Sequence, residues 1–193
     1  MNITLFGGSF NPPHLGHQLV MTQVFELIPR LKQIWLLPDY QHSFPSKASL
    51  APVKHRLAMT KMLENHRINT QTCAIDQKMS GNTIEHITYL KKKYPHHQFS
   101  FLMGSDNLAS FTKWPQWQQL LTLMPFYIYP RVGFPLKPLK TNMHPLEHPL
   151  QIITNISSTM VRKRLAKNLT TKHLIPHKVN QYIQRNHLYS SQN

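Results

Sequence analysis

The stretch Ile3-Thr4-Leu5-Phe6-Gly7-Gly8-Ser9-Phe10-Asn11-Pro12-Pro13-His14-Leu15-Gly16-His17 decides the fold. Residues 3–6 read as a buried strand, and residues 17–28 carry apolar side chains at helical spacing until Pro29 stops them. The chain has only six glycines, and Gly7, Gly8 and Gly16 all fall between or beside these two elements. Gly7 and Gly8 let the backbone turn at a strand's carboxyl end, while Gly16 and His17 open the helix. Free N–H groups and the positive end of the helix dipole then face one spot, which suits an anion such as phosphate. His14 and His17 are three apart, so their imidazoles lie on one side of the first turn and can donate to phosphate oxygens together.

The same strand and helix unit repeats outward from this stretch. Residues 34–37 form a second strand, and Pro52 occupies the first turn of a helix whose Leu57, Met59, Met62 and Leu63 bury one face. Residues 68–75 read as a strand. Asn82 then caps a helix running to Tyr94, with Glu85 reaching back to the Asn82 backbone and Ile84, Ile87 and Leu90 facing the core. Residues 99–103 are a strand ending at Gly104, 114–124 a helix, and 126–129 a strand ending at Pro130. Residues 133–149 hold Pro135, Pro138, Pro145 and Pro149 and read as an irregular surface loop. Ile152 and Ile153 form a short last strand, helices follow at 158–167 and 176–187, and 190–193 are a frayed tail. Strands alternating with helices imply one α/β domain over residues 1–193, a doubly wound parallel sheet with right-handed crossovers and C-terminal helices.

Lys and Arg number 22 against 7 Asp and Glu, a formal charge of +15 that predicts an anionic partner. Charged residues make up 15% of the chain, below the ~25% usual for soluble proteins, so the excess comes from missing acids rather than from a polybasic tail. The carboxylates are scattered singly, which argues against a carboxylate metal cage and a paired-carboxylate hydrolase. Cys73 is the only cysteine; it excludes an intramolecular disulfide and a Cys-rich zinc site and fits a reducing, cytoplasmic location. The N-terminus lacks a basic region followed by a long apolar one, and no apolar run reaches ~18 residues, so neither export nor a membrane partner is expected. The basic clusters at 91–93 and 162–164 are placed on helices, where such runs form solvated faces, and nucleic acid is not the expected partner. A basic nucleic-acid-binding module is the non-enzyme alternative, marked by steeply salt-dependent binding to random duplex.

Taken with the rest of the chain, the opening stretch resembles the H-x-G-H nucleotidylyltransferases and, within them, the bacterial nicotinate mononucleotide adenylyltransferases. The resemblance rests on Gly7 to His17, on Gly104-Ser105-Asp106 followed by Trp114 and Trp117, and on Pro130-Arg131-Val132-Gly133. It extends through Ile156-Ser157-Ser158-Thr159 with Arg162 to Leu174-Ile175-Pro176 and the ending at Tyr189, so that it spans nearly the whole chain. It implies a Rossmann-like fold and adenylyl transfer from ATP to nicotinate mononucleotide, with pyrophosphate as the other product.

By this resemblance His14, His17 and Arg162 are the catalytic residues. Gly7, Gly8, Ser9, Phe10, Gly104, Asp106, Ile156, Ser157, Ser158 and Thr159 hold ATP, with Asp106 accepting from ribose hydroxyls. Asn11, Lys47, Asn82, Thr83, Trp114 and Arg131 hold the pyridine mononucleotide, with the ring stacked on Trp114. Ser157 to Thr159 also make physical sense as a second helix start offering hydroxyls and N–H groups, with Arg162 one turn later. Trp117 is equally suited to the core. Mg²⁺ is the expected cofactor, carried by phosphates and water rather than by protein ligands. A homo-oligomer is compatible with the sequence.

Two departures flank the pyridine side. Gly81-Asn82-Thr83 stands where the family usually has Ser-Tyr-Thr, and Ser43-Phe44-Pro45-Ser46-Lys47 stands where it usually has Pro-Pro-His-Lys. They leave nicotinamide mononucleotide, or another H-x-G-H reaction, as the alternative substrate choice. His14-Leu15-Gly16-His17 with Lys78-Met79-Ser80 is also similar to the paired signatures of class I aminoacyl-tRNA synthetases. That reading fails because the second signature belongs after the last strand, where Ser157-Ser158-Thr159 stands, and no stretch is left to read tRNA.

Overall fold

The computed structural model describes residues 1–41 and 50–190. Lys47 and the end of the predicted frayed tail lie outside them. Six parallel strands form one sheet in the order β3-β2-β1-β4-β5-β6. They are β1 (Asn2–Gly8), β2 (Gln33–Pro38), β3 (Ile68–Thr70), β4 (Gln98–Gly104), β5 (Phe126–Tyr129) and β6 (Met143–Pro145). The helices are α1 (Leu15–Leu27), α2 (Val53–Lys61), α3 (Cys73–Asp76), α4 (Thr83–Lys93), α5 (Trp117–Leu123), α6 (Ser158–Ala166) and α7 (His177–Arg185), with a 3₁₀ helix at Ser105–Lys113.

Alternation along the strands sorts the core into two faces. Leu5, Trp35, Leu37, Phe101, Met103, Phe126 and Ile128 pack with Ile87 and Leu90 of α4 and Leu120 of α5. Ile34, Leu36, Leu102 and Tyr129 pack on the other side with Val20, Met21 and Val24 of α1. On that second face Thr4 and Ser100, both buried, bond to each other through their hydroxyls at 2.8 Å, so neither polar atom is left unsatisfied. A third cluster joins Met59 of α2 to Val161 of α6 and Val179 and Ile183 of α7, and so packs the C-terminal helices against α2. Connections leave β1 toward β2 and β3 on one side and return to β4 on the other. The carboxyl ends of β1 and β4 therefore border a crevice, where open α/β sheets place ligands.

Three expectations about secondary structure need correction. The strand at 68–75 ends at Thr70, because the chain turns into the four-residue α3, which buries Cys73 and Ala74. The last strand is Met143–Pro145, inside the stretch read as a loop, and Ile152 and Ile153 are exposed, not paired. Pro145 hid this strand, yet an edge position tolerates a missing N–H. The backbone of Ile152 is satisfied by a side chain instead: its N–H donates to Gln23 Oε1 at 2.8 Å, and its carbonyl accepts from Gln23 Nε2 at 3.0 Å and from the Tyr129 hydroxyl at 2.9 Å. Glu85, finally, turns to the amide of Ser80 at 3.0 Å and to its hydroxyl rather than to the Asn82 backbone.

The basic cluster on α4 is partly structural. Lys91 donates to the Leu123 carbonyl at 2.7 Å and Lys93 lies over the rings of Tyr89 and Tyr94.

Candidate active site

A cavity of about 910 Å³ opens at the carboxyl ends of β1 and β4. Its floor is the turn after β1. Phe10 takes a left-handed backbone conformation (φ 44°), uncommon for a bulky residue, and its ring is buried against His17 at 5.1 Å and Phe6 at 6.0 Å between centroids. That packing holds the turn from Gly7 to Asn11 in place.

His14 is the N-cap of α1, and the imidazoles of His14 and His17 lie with centroids 3.7 Å apart and planes tilted by 31°. The His14 N–H donates to His17 Nδ1 at 3.1 Å, so the proton of neutral His17 sits on Nε2. Gly16 makes the pairing possible: a Cβ there would come within 2.9 Å of His14 Nδ1 and 3.0 Å of its Cε1. Burial, and secondarily the charge of Arg131, pulls His17 down to about 3. Burial, then His17 and then Arg131, pushes His14 well below the usual imidazole range. Both rings are therefore neutral at pH 7 and present N–H donors without carrying charge.

Both pKa values are depressed on folding, so the unfolded chain binds more protons below pH ~6.5, and stability is full above that pH and lost as it falls. For His17 the window runs from about 6.5 down to about 3, and the loss approaches ~1.4 kcal/mol per pH unit per imidazole. Thermal unfolding followed from pH 7.5 to 5.5 is expected to show a falling melting temperature. A His17→Gln variant should show a shallower fall, and equal slopes for the two proteins would contradict the assignment.

The opposite wall is the start of α6. Ser157 caps it by accepting from the Met160 N–H at 3.2 Å. Ser158 donates to the Pro12 carbonyl at 2.8 Å, and Arg162 Nη1 donates to the Asn11 carbonyl at 2.7 Å, so this helix is latched onto the turn after β1. Arg162 Nη2 also reaches Thr159 Oγ1 at 3.3 Å. Two helix starts, one bearing the histidines and the other hydroxyls and a guanidinium, thus face one cavity.

At the end of β4, a Cβ on Gly104 would collide with the Asp106 carboxylate and the stem of Arg131. Arg131 Nε lies 4.0 Å from Asp106 Oδ1, and its Nη1 is 3.5 Å from the Ile156 carbonyl. Arg131 therefore sits beside Asp106 and close enough to lower both histidines, in the cavity that Asn82 and Thr83 also line. Trp114 lines the cavity as well. Burial would raise the carboxyl of Glu85 in the first turn of α4, but its bonds to Ser80 and Asn82 hold it below its ordinary value.

Of the described residues assigned from the sequence, Ile156 alone does not line the cavity; its side chain packs in the cluster around Val161 and Ile175. Asn11 reaches the cavity, but its Oδ1 already accepts from the Ala51 N–H at 3.0 Å and from the Tyr189 hydroxyl at 2.7 Å. The sequence reading missed Asn107, Ser110 and Lys113, which line the wall through the 3₁₀ helix. Their spacing of three, which aligns side chains on one face of such a helix, was the available signal. It also missed Asp39 and the buried His86, which left no pattern in the sequence.

Comparison with known proteins places this geometry in context. The profile of the cytidylyltransferase-like family matches residues 5–164, the span from β1 through the histidine pair to the Ser157–Arg162 helix start. The chain belongs to the cytidylyltransferase-like family. A relative in Flavobacterium johnsoniae, named a probable nicotinate-nucleotide adenylyltransferase, is 31% identical over 192 residues, covering 98% of this chain and 99% of its own. One of the same name in Bacillus anthracis is 32% identical over 195 residues, with 98% of each chain covered. Among solved structures, the nicotinic acid mononucleotide adenylyltransferase of Plasmodium falciparum complexed with APC superimposes with a TM-score of 0.78. At 24% identity, covering 97% of this chain and 96% of that one, it shares the family's fold.

Proposed function

We propose that this chain transfers the adenylyl group of ATP to nicotinate mononucleotide, forming nicotinate adenine dinucleotide and pyrophosphate in NAD biosynthesis. The observation that carries the reading is the convergence of the α1 and α6 starts on one cavity, tied together through Pro12 and Asn11. The full-length relatives named nicotinate-nucleotide adenylyltransferase support the substrate.

A phosphate oxygen of the mononucleotide attacks the α-phosphorus of ATP in line. The bond from that phosphorus to the bridging oxygen breaks, and pyrophosphate leaves with the electron pair. No protein nucleophile or strong base is needed, so the work is positioning and stabilisation of charge on the β and γ phosphates. His14, His17, the N–H groups of the first turn and Arg162 are that charge's partners. Asp106 accepts from the ribose of the adenosine, and Arg131 beside it holds the mononucleotide. The cavity's donors are imidazoles, hydroxyls, guanidinium and backbone N–H, which suit phosphate oxygens, while Asp39 and Asp106 are the carboxylates lining it. Among the described residues no three His, Cys, Asp or Glu converge to hold a metal. Mg²⁺ would enter this site as the complex of ATP, carried by phosphates and water rather than by protein ligands, and would supply further neutralisation of the leaving group. A single buried thiol, Cys73, is in keeping with a cytoplasmic setting; among the described residues no helix is long and apolar enough to cross a membrane.

The pyridine end is bounded by Trp114 and the start of α4, where Asn82 makes no side-chain cap. Backbone donors and the dipole at that start favour a carboxylate over a neutral amide by about 1 kcal/mol, a several-fold preference. With no aromatic at Asn82, discrimination should be weaker than where the family carries Tyr. Purified protein assayed with ATP, Mg²⁺ and each mononucleotide in turn is expected to show the higher kcat/KM for nicotinate mononucleotide. Equal or higher kcat/KM for the amide would overturn the preference, and turnover of neither would overturn the reaction.

A further inference from the structure

Arg56 in α2 is 1% exposed, the largest fully buried side chain among the described residues, on a helix whose sequence points only to apolar residues for its buried face. Its guanidinium is spent on backbone carbonyls. Nε donates to Ala51 at 3.0 Å, Nη1 to Ser9 at 3.0 Å and to Asp39 at 2.7 Å, and Nη2 to Tyr40 at 2.8 Å. Three segments separate in sequence end on this one cation: the turn after β1, the exit of β2 and the approach to α2.

Burying a cation among carbonyls is a costly way to fasten a helix, and a well-packed apolar side chain serves that purpose as well or better. Met59 of α2 and Leu63 just beyond its end, both buried, already fasten this segment by apolar packing. What a planar group with five donors adds is a fixed geometry among several acceptors. Two of the four acceptors it fixes belong to the cavity, since Ser9 and Asp39 both line it. A second bond from the same region closes the frame: the Ala51 N–H donates to Asn11 Oδ1 at 3.0 Å, while the Asn11 carbonyl accepts from Arg162. Arg56 thus touches the same turn that α6 grips from the other side.

We propose that Arg56 is a positioning residue for this site, setting the phosphate turn against the end of β2 so that the donors around Ser9 and Arg162 meet the nucleotide in register. The proposal deepens the adenylyl-transfer reading and rests on it for the substrate. Arg56→Lys keeps a cation that cannot span four carbonyls in one plane, and Arg56→Gln removes the charge and reaches only as far as the Nε position.

The test uses both variants and the wild-type chain, each checked for folding by circular dichroism and assayed well below its melting temperature. Titration calorimetry with ATP and Mg²⁺ is expected to give a Kd raised at least fivefold in Arg56→Lys and further in Arg56→Gln. In turnover assays KM for both substrates should rise, with kcat at least tenfold lower. A role confined to stability would lower the melting temperature and leave these constants alone. ATP Kd within twofold of wild type in folded Arg56→Lys would overturn the proposal. Because that Kd is read without turnover, it decides the point even if the wild-type chain makes no dinucleotide, an outcome that would count against the adenylyl-transfer reading instead.

Discussion

Replacement of His17 by alanine is expected to lower kcat by ~10²-fold or more while the protein stays folded. Loss of one preorganised donor aimed at developing charge typically costs ~3–4 kcal/mol of transition-state stabilisation. His17 has the features of such a donor. Its Nδ1 is fixed by the His14 N–H, leaving the proton on Nε2, and its ring is wedged between His14 and Phe10. KM for ATP should change far less than kcat, because the interaction strengthens as the pyrophosphate departs. Steady-state kinetics with melting curves on the same samples check this. A variant within a few-fold of wild type would remove His17 from the chemistry and leave it a helix-capping residue.

The second large effect is expected at Arg162. Arg162→Ala should reduce kcat/KM by ~10²-fold or more, since it deletes a charge-assisted, bidentate-capable contact to the triphosphate. It also removes the bond to the Asn11 carbonyl that latches α6 to the turn. Arg162→Lys keeps the charge but not the fork and should recover only part of the loss. The pair therefore separates charge from geometry: full recovery by Lys would show that charge alone is used, and unaltered kinetics in Arg162→Ala would show that the α6 start faces no phosphate.

Much of this site is legible in the chain because its parts are local. Gly7, Gly8, Gly16 and the two histidines lie within eleven consecutive residues, and backbone turning, helix start and imidazole pairing all follow from their spacing. Ser157 to Arg162 are equally local, since an N-cap and a residue one turn later need no tertiary information. What stays hidden is non-local. A guanidinium such as that of Arg56 is ordinarily exposed, and only the meeting of Ser9, Asp39, Tyr40 and Ala51 makes its burial tolerable. The exposed Ile152 and Ile153 read as a strand because apolar β-branched pairs usually are one, whereas Gln23, 129 residues away, takes up the backbone of Ile152 instead. Met143–Pro145 reads as loop because its pairing partner, β5, supplies a register that its own composition does not announce. Arg131, assigned from the sequence to the pyridine mononucleotide, follows a strand end, and its pairing with Asp106 and closeness to the histidines are tertiary facts that its neighbours in sequence do not announce.

The central claim is that ATP is cleaved at its α-phosphorus and the adenylyl group passes to a mononucleotide phosphate. The direct measurement is the fate of phosphorus label in a single incubation of the purified protein with Mg²⁺ and nicotinate mononucleotide. With ATP labelled at the α position, the label is expected in the dinucleotide, and with ATP labelled at the γ position it is expected in pyrophosphate. Label from the γ position appearing in inorganic phosphate or on the mononucleotide, with none from the α position in a dinucleotide, would contradict the account.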